Sequence, residues 1–180
     1  MRNRVQEPNV HLGRAYTTVV HRKFVADENG LETNLVTGVR GTYQKIVLCK
    51  NKDNLQTLAG RDDEIIKCYT QNGAGNPASN FIAVSADVTA PSTADTVLAG
   101  EITTNGMGRA QATTRTHTTG TNAWSLSLTF TDTTAETAAI VKYGLFTAIS
   151  SGVLNHENTA TTVTLEVGDQ LIVSWTGSLG

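Results

Sequence analysis

The chain has 180 residues, of which 39% are hydrophobic and 17% charged, and its formal net charge is −2. That length suits one large domain or two small ones, and the shortage of charge beside plentiful Thr, Asn, Gly and Ser suits many short strands and argues against disorder. Residues 1–90 carry 11 Lys and Arg against 9 Asp and Glu, and residues 91–180 carry 3 against 7, balances of +2 and −4 that are too weak and too scattered for a nucleic-acid surface.

From the N-terminus, Met1 to Leu12 is polar, contains Pro8 and shows no periodicity, so residues 1–14 are expected to form an extended arm. No apolar h-region follows Met1, which predicts the absence of a secretory leader, and no apolar run approaches a membrane span. Ala15 to Val20 is β-branched and aromatic and predicts a strand that His21 to Ala26 extends. Asp27-Glu28-Asn29-Gly30 predicts a turn, and Ile46-Val47-Leu48-Cys49 within Tyr43–Lys50 predicts a buried strand. The only helical character lies between Asn51 and Tyr69. There Asp62, Asp63 and Glu64 sit where a first turn favours acids, and Ile65, Ile66 and Tyr69 lie one turn apart. Gln71 to Asn80 is the densest turn cluster and predicts a long loop or a subdomain boundary.

Phe81 to Ser85 predicts a strand, and Ala90-Pro91-Ser92 opens a loop. Thr96 to Ile102 is short and weakly amphipathic. Within Gly106–His117, Ala110, Ala112 and Thr114 alternate as small inward residues. Trp124, Leu126, Leu128 and Phe130 alternate with Ser125, Ser127 and Thr129, the clearest period-2 segment in the chain. Ile140 to Phe146 is a further apolar strand, in which Gly144 marks a bulge or a close approach. Val163, Leu165 and Val167, the turn at Gly168-Asp169, and Leu171, Val173 and Trp175 predict a terminal hairpin.

Motifs for chemistry are sparse. His11, His21, His117 and His156 have no partner His or Cys at metal-ligand spacing, and Cys49 and Cys68 form no C-x-x-C pair, so no metal site is predicted. A disulfide between the two cysteines is geometrically open, although two small apolar residues near a core fit better. Gly73-Ala74-Gly75-Asn76-Pro77-Ala78 fails as a phosphate loop because Pro77 interrupts it and no helix start follows. Asp132 and Glu136 flank a Thr/Ala-rich loop without a nucleophile beside them. Trp124 and Trp175 could stack on sugars, but each continues an inward stripe, which favours core packing. No catalytic, cofactor-binding or metal residue is therefore named, and the expectation is a protein that is not an enzyme and uses no cofactor.

The segment from Phe81 onward resembles small virion proteins of tailed bacteriophages. The residues that carry the likeness are Phe81–Ser85, the loop Thr89–Thr96, Leu98-Ala99-Gly100-Glu101-Ile102, Arg109-Ala110, Tyr143-Gly144-Leu145-Phe146, and Val167 to Trp175. Ser85-Ala86-Asp87 stands where those proteins have a Gly-rich step. The resemblance implies a capsid decoration protein bracing the head, or else a tail, baseplate or fibre component. It also implies synthesis in the host cytoplasm, location in the virion, and partners that are copies of itself (a homo-oligomer such as a trimer) and the major capsid protein. A carbohydrate-binding host-recognition module is the alternative.

The predicted fold is mainly β. It is an antiparallel β-sandwich or jelly-roll-like domain with a short helix and the N-terminal arm. A β-rich part over 15–80 and a sandwich part over 81–180 are the expected divisions, with one continuous domain over 15–180 as the alternative.

Overall fold

A computed structural model describes residues 14–60, 78–117, 119–121, 123–134 and 139–178. Eleven strands are formed: β1 (Arg14–Ala26), β2 (Glu32–Thr33), β3 (Arg40–Asp53), β4 (Leu55–Gln56), β5 (Phe81–Ser85), β6 (Ala110–Gln111), β7 (Thr114–His117), β8 (Ala123–Thr131), β9 (Ile140–Phe146), β10 (Leu154–Val163) and β11 (Gln170–Ser178). They make a six-stranded sheet, ordered β2-β3-β1-β11-β8-β7, and a five-stranded sheet, ordered β4-β10-β9-β5-β6. Every pairing is antiparallel. The protein is thus mainly β, a sandwich of two antiparallel sheets, as predicted.

Period-2 alternation explains the packing. On β8 and β11, Leu126, Leu128 and Phe130 lie opposite Trp175, Val173 and Leu171, all turned to one face. That face meets Ile82, Val84, Tyr143 and Leu145 of the other sheet, and together they form the main core. The opposite face of β8 and β11 is hydroxyl-rich, with Ser127 Oγ and Ser174 Oγ 3.1 Å apart. Trp175 is fully buried and Trp124 partly buried, so both belong to the inward stripe.

The five-stranded sheet is covered on its second face too. Ala83, Phe146 and Leu154 pack there under Leu98, which belongs to the segment joining β5 to β6. Gly144 lies in this layer. A Cβ on it would meet the Phe146 ring at 2.8 Å, Leu154 at 3.1 Å and Leu98 at 3.2 Å, so the close approach predicted at this glycine is real.

Three strand expectations need correction. The terminal hairpin does not form: β10 ends at Val163 in the five-stranded sheet, while β11 pairs with β1 and β8 in the other. Residues 164–169 cross between sheets, and the turn at Gly168-Asp169 (Gly168 φ 86°) lies on that crossing. The expected single strand around Ala110–Thr114 is split, with Ala110–Gln111 in one sheet and Thr114–His117 in the other, and Ala112 buried at the switch. Finally, Ile46-Val47 is a strand but not a buried one. Ile46 is 43% and Val47 51% exposed, because β3 lies beside the sheet edge.

Residues 58–60 are helical, whereas Asp62, Asp63, Glu64, Ile65, Ile66, Cys68 and Tyr69 lie outside the described residues, as do the arm up to residue 13 and Gly73–Pro77. Cys49 is a free thiol that donates to the Thr17 carbonyl at 3.7 Å, and burial raises its pKa.

Candidate interaction surface

Several titratable side chains help to hold the fold together. His21 Nε2 and Asp169 Oδ2 are 2.7 Å apart and both residues are buried. Asp169 also accepts from the Phe24 amide at 2.7 Å and the Glu166 amide at 3.2 Å, so it pins β1 to the crossing before β11. Asp132 is fully buried and its backbone bonds both Gly168 and Asp169. Burial raises its carboxyl pKa. Its expected companion Glu136 lies outside the described residues, as does His11. His117 is exposed, with Nδ1 2.9 Å from the Ala123 carbonyl oxygen. His156 is buried against Trp175, and desolvation lowers its pKa from 6.5 to about 4, so it is neutral. Among the described residues no group of three or more His, Cys, Asp or Glu is placed to hold a metal ion, and no helix is long and apolar enough to cross a membrane.

What stands out is apolar surface. Among the described residues eleven large hydrophobic side chains are exposed, and seven of them fall between Val25 and Val47: Val25, Leu31, Leu35, Val36, Val39, Ile46 and Val47. Leu31 is 95% and Leu35 78% exposed. Leu31, Leu35, Val36 and Val39 lie in the connections on either side of β2, Val25 is near the end of β1, and Ile46 and Val47 are on β3. Scattered exposed leucines are ordinary, whereas exposed apolar residues gathered in one stretch of chain make that stretch the candidate contact surface.

The loop that presents them is built to hold still. Asn34 is buried, its Oδ1 accepts from the Val36 and Thr37 amides at 2.9 and 3.0 Å, and its Nδ2 donates to the Val167 carbonyl at 3.3 Å. Its backbone closes the turn through Asn34 N to Val39 O and Gly38 N to Asn34 O, and Gly38 takes φ 71°, a left-handed conformation that favours glycine. Gly168 has no room for a Cβ because the Asn34 side chain fills that space. Below the loop, Arg22 donates to Glu32 (2.9 Å) and Gln170 (2.6 Å) and lies 4.4 Å from the centre of the Tyr43 ring. Glu32 Oε2 accepts from the Tyr43 amide at 2.8 Å, so a carboxylate occupies this position on the strand edge. Polar bonds thus fix the backbone while the leucines face outward, which lowers the ordering cost when a partner covers them.

A second feature lies at the other end of β1. Tyr16, Trp124, His117, Thr116, Ser125 and Thr176 help to line an open groove of about 400 Å³. Nine steps along β1 lead from Tyr16 to Val25, roughly 30 Å of extended strand, so the groove lies away from the Val25 end, while Val47 and Ile46 pair with Val20 and His21 midway along the strand.

The sequence pattern hid the rim because Ile46-Val47 reads as part of a buried strand. A usable signal was present: Leu31, Leu35, Val36 and Val39 sit among turn residues that cannot supply a strand to bury them. Compared with protein-family models, curated proteins and solved structures, the chain matches none.

Proposed function

We propose that this protein is a structural component of a tailed-phage virion, a capsid decoration protein that braces the head through protein–protein contacts. The observation that carries the reading is the rigid apolar rim between Val25 and Val47 on a sandwich whose polar and ionisable groups serve the fold. The resemblance over residues 81–180 supplies the setting. In this reading the partners are further copies of the chain and the major capsid protein, the product is made in the host cytoplasm, and no catalysis is involved. Burial of Leu31 and Leu35 by a neighbour would contribute about 1.5–3 kcal/mol each, and repeated symmetric contacts would add to this through avidity.

Quantitative mass spectrometry of purified particles tests this proposal. Hundreds of copies per virion are expected for decoration, whereas a dozen or fewer would move the protein to the tail, baseplate or a fibre. Presence in infected cells with none in particles would remove the reading.

The groove at Tyr16 and Trp124 favours a second reading, a carbohydrate-binding host-recognition module. Two part-exposed aromatic rings among four Ser and Thr residues, with His117 beside them, suit a neutral saccharide. A glycan array with no hits would eliminate it.

A further inference from the structure

Over the outer face of the five-stranded sheet, the segment 86–100 forms a long loop whose base and tip are held by different means. Its base is a cross-strand clasp: Ser85 bridges to Glu101, the Ala86 amide donates to the Gly100 carbonyl, and the Ser85 hydroxyl donates to the Ala99 carbonyl. Lys142 of β9, fully buried, donates to Asp87 Oδ2 at 2.6 Å. Asp87 in turn accepts from the amide and hydroxyl of Thr89.

The tip is tied to the sheet through one carboxyl pair. Glu157 of β10 is fully buried on this face, in one cross-strand row with Gly144 of β9 and Leu55 of β4. Its Oε1 accepts from the Ser92 amide at 3.0 Å, and that same amide donates to Asp95 Oδ2 at 2.9 Å. The carboxyl groups of Glu157 and Asp95 thus converge on one N–H, and Glu157 Oε2 is buried with no hydrogen-bond partner among the described residues. Two ionised carboxylates brought together at a buried sheet face repel, which favours a proton on one of them. The Leu58 amide, donating to the Thr93 carbonyl, is a further tie on the tip. Among the described residues, the charged groups acting on Glu157 are Asp95 from the loop and Lys142 from β9, with Asp87 acting in turn on Asp95, while β4 contributes Leu55 and Gln56. Lys142 is already paired with Asp87 and therefore does not fully neutralise a second negative charge.

We propose that the Glu157–Asp95 pair is a proton-operated latch that holds the tip of the loop, residues 88–97, on the sheet. With the shared proton present, the two carboxyls and the Ser92 amide form one closed network. When the proton leaves to solvent, two like charges remain gathered on the Ser92 amide beside a buried sheet face, and the tip lifts while the clasp at Ser85–Gly100 stays shut. Glu157 is the group that holds the proton, because burial and the neighbouring Asp95 carboxyl raise its pKa from 4.5 to about 7 while the interaction with Glu157 lowers that of Asp95. The latch therefore opens as pH rises through neutrality. Lifting the tip changes the exposure of Val88 and Val97, which already face solvent at 81% and 68%, and of the sheet surface beneath. This gives the loop a pH-dependent contact surface of its own, whatever the rim binds.

Hydrogen exchange of the whole protein followed at about pH 6 and about pH 8.5, corrected for intrinsic rates, tests the latch. Protection of amides in 88–97 should fall by about tenfold at the higher pH while that of β9 and β11 holds. In Glu157→Gln the amide can accept from Ser92 and donate to Asp95, so the tip should stay protected at both pH values. Asp95→Asn, a change at a part-exposed loop site, should act alike and guards against a folding defect in the first variant. Equal tip protection at both pH values in the wild type, or the same loss in both variants, would overturn the proposal.

Discussion

Two buried side chains of β10 make opposite demands on pH. Glu157 keeps its proton to about pH 7 in the fold, whereas an ordinary carboxyl loses it near 4.5, so the native state binds more protons across that window and stability falls as pH rises through it. His156 is neutral in the fold down to about pH 4 but would ordinarily protonate near 6.5, so the unfolded state binds more protons between those values and stability is lost as pH falls through them. Each effect is worth about 3 kcal/mol at most, and from about pH 4.5 to 6.5 they largely cancel. Denaturant midpoints measured across pH should therefore be nearly flat there for the wild type. They should rise with pH for Glu157→Gln and fall with pH for His156→Gln; parallel profiles for all three proteins would contradict this assignment. Gly144→Ala tests the packing beside Glu157. A methyl group there meets Phe146, Leu154 and Leu98, and the expected loss is about 1–3 kcal/mol in chemical denaturation, whereas a neutral result would mean that the loop over this face yields freely.

Alternation along β8 was legible from the sequence because each strand with one wet face writes its burial into period 2, and Leu126, Leu128 and Phe130 all point inward. Partner choice was not legible. Val163 and Val173 carry the same alternating pattern, yet one ends a strand of the five-stranded sheet and the other pairs with Val19 and Leu128 in the six-stranded sheet. The pattern states which face is buried and is silent about the neighbour, and the chain uses residues 164–169 to change sheets. Buried charge escaped the reading for a related reason. Lys142 and Asp87 are 55 residues apart, so nothing local announces their pairing. The rim escaped because apolar residues were equated with core. At this scale the test is the double variant Leu31→Ser, Leu35→Ser. Both residues are solvent-exposed, so unfolding stability should change by less than about 0.5 kcal/mol, while affinity for a partner that covers them should drop by tenfold or more. A large stability loss would instead show that these leucines serve the fold.

The first described strand pairs with the last, β1 with β11 from Arg14↔Ser178 to Arg22↔Gln170, so both ends of the described chain lie within one sheet. Strands from before and after Phe81 share both sheets, since β4 joins β10 and β1 joins β11. Such interleaving predicts one cooperative unfolding transition, checked by coincident denaturation curves from tryptophan fluorescence and far-ultraviolet circular dichroism; two separated transitions would indicate parts that fold independently. The rim residue Val25 and the groove residue Tyr16 lie towards different ends of β1. The central claim is that the rim is the docking surface of an assembly protein. A cryo-electron microscopy reconstruction of the purified particle tests it most directly. Leu31, Leu35 and Val47 should be buried against a neighbouring copy or the shell. Finding them facing solvent in every copy, or finding no density for the protein, would contradict the account.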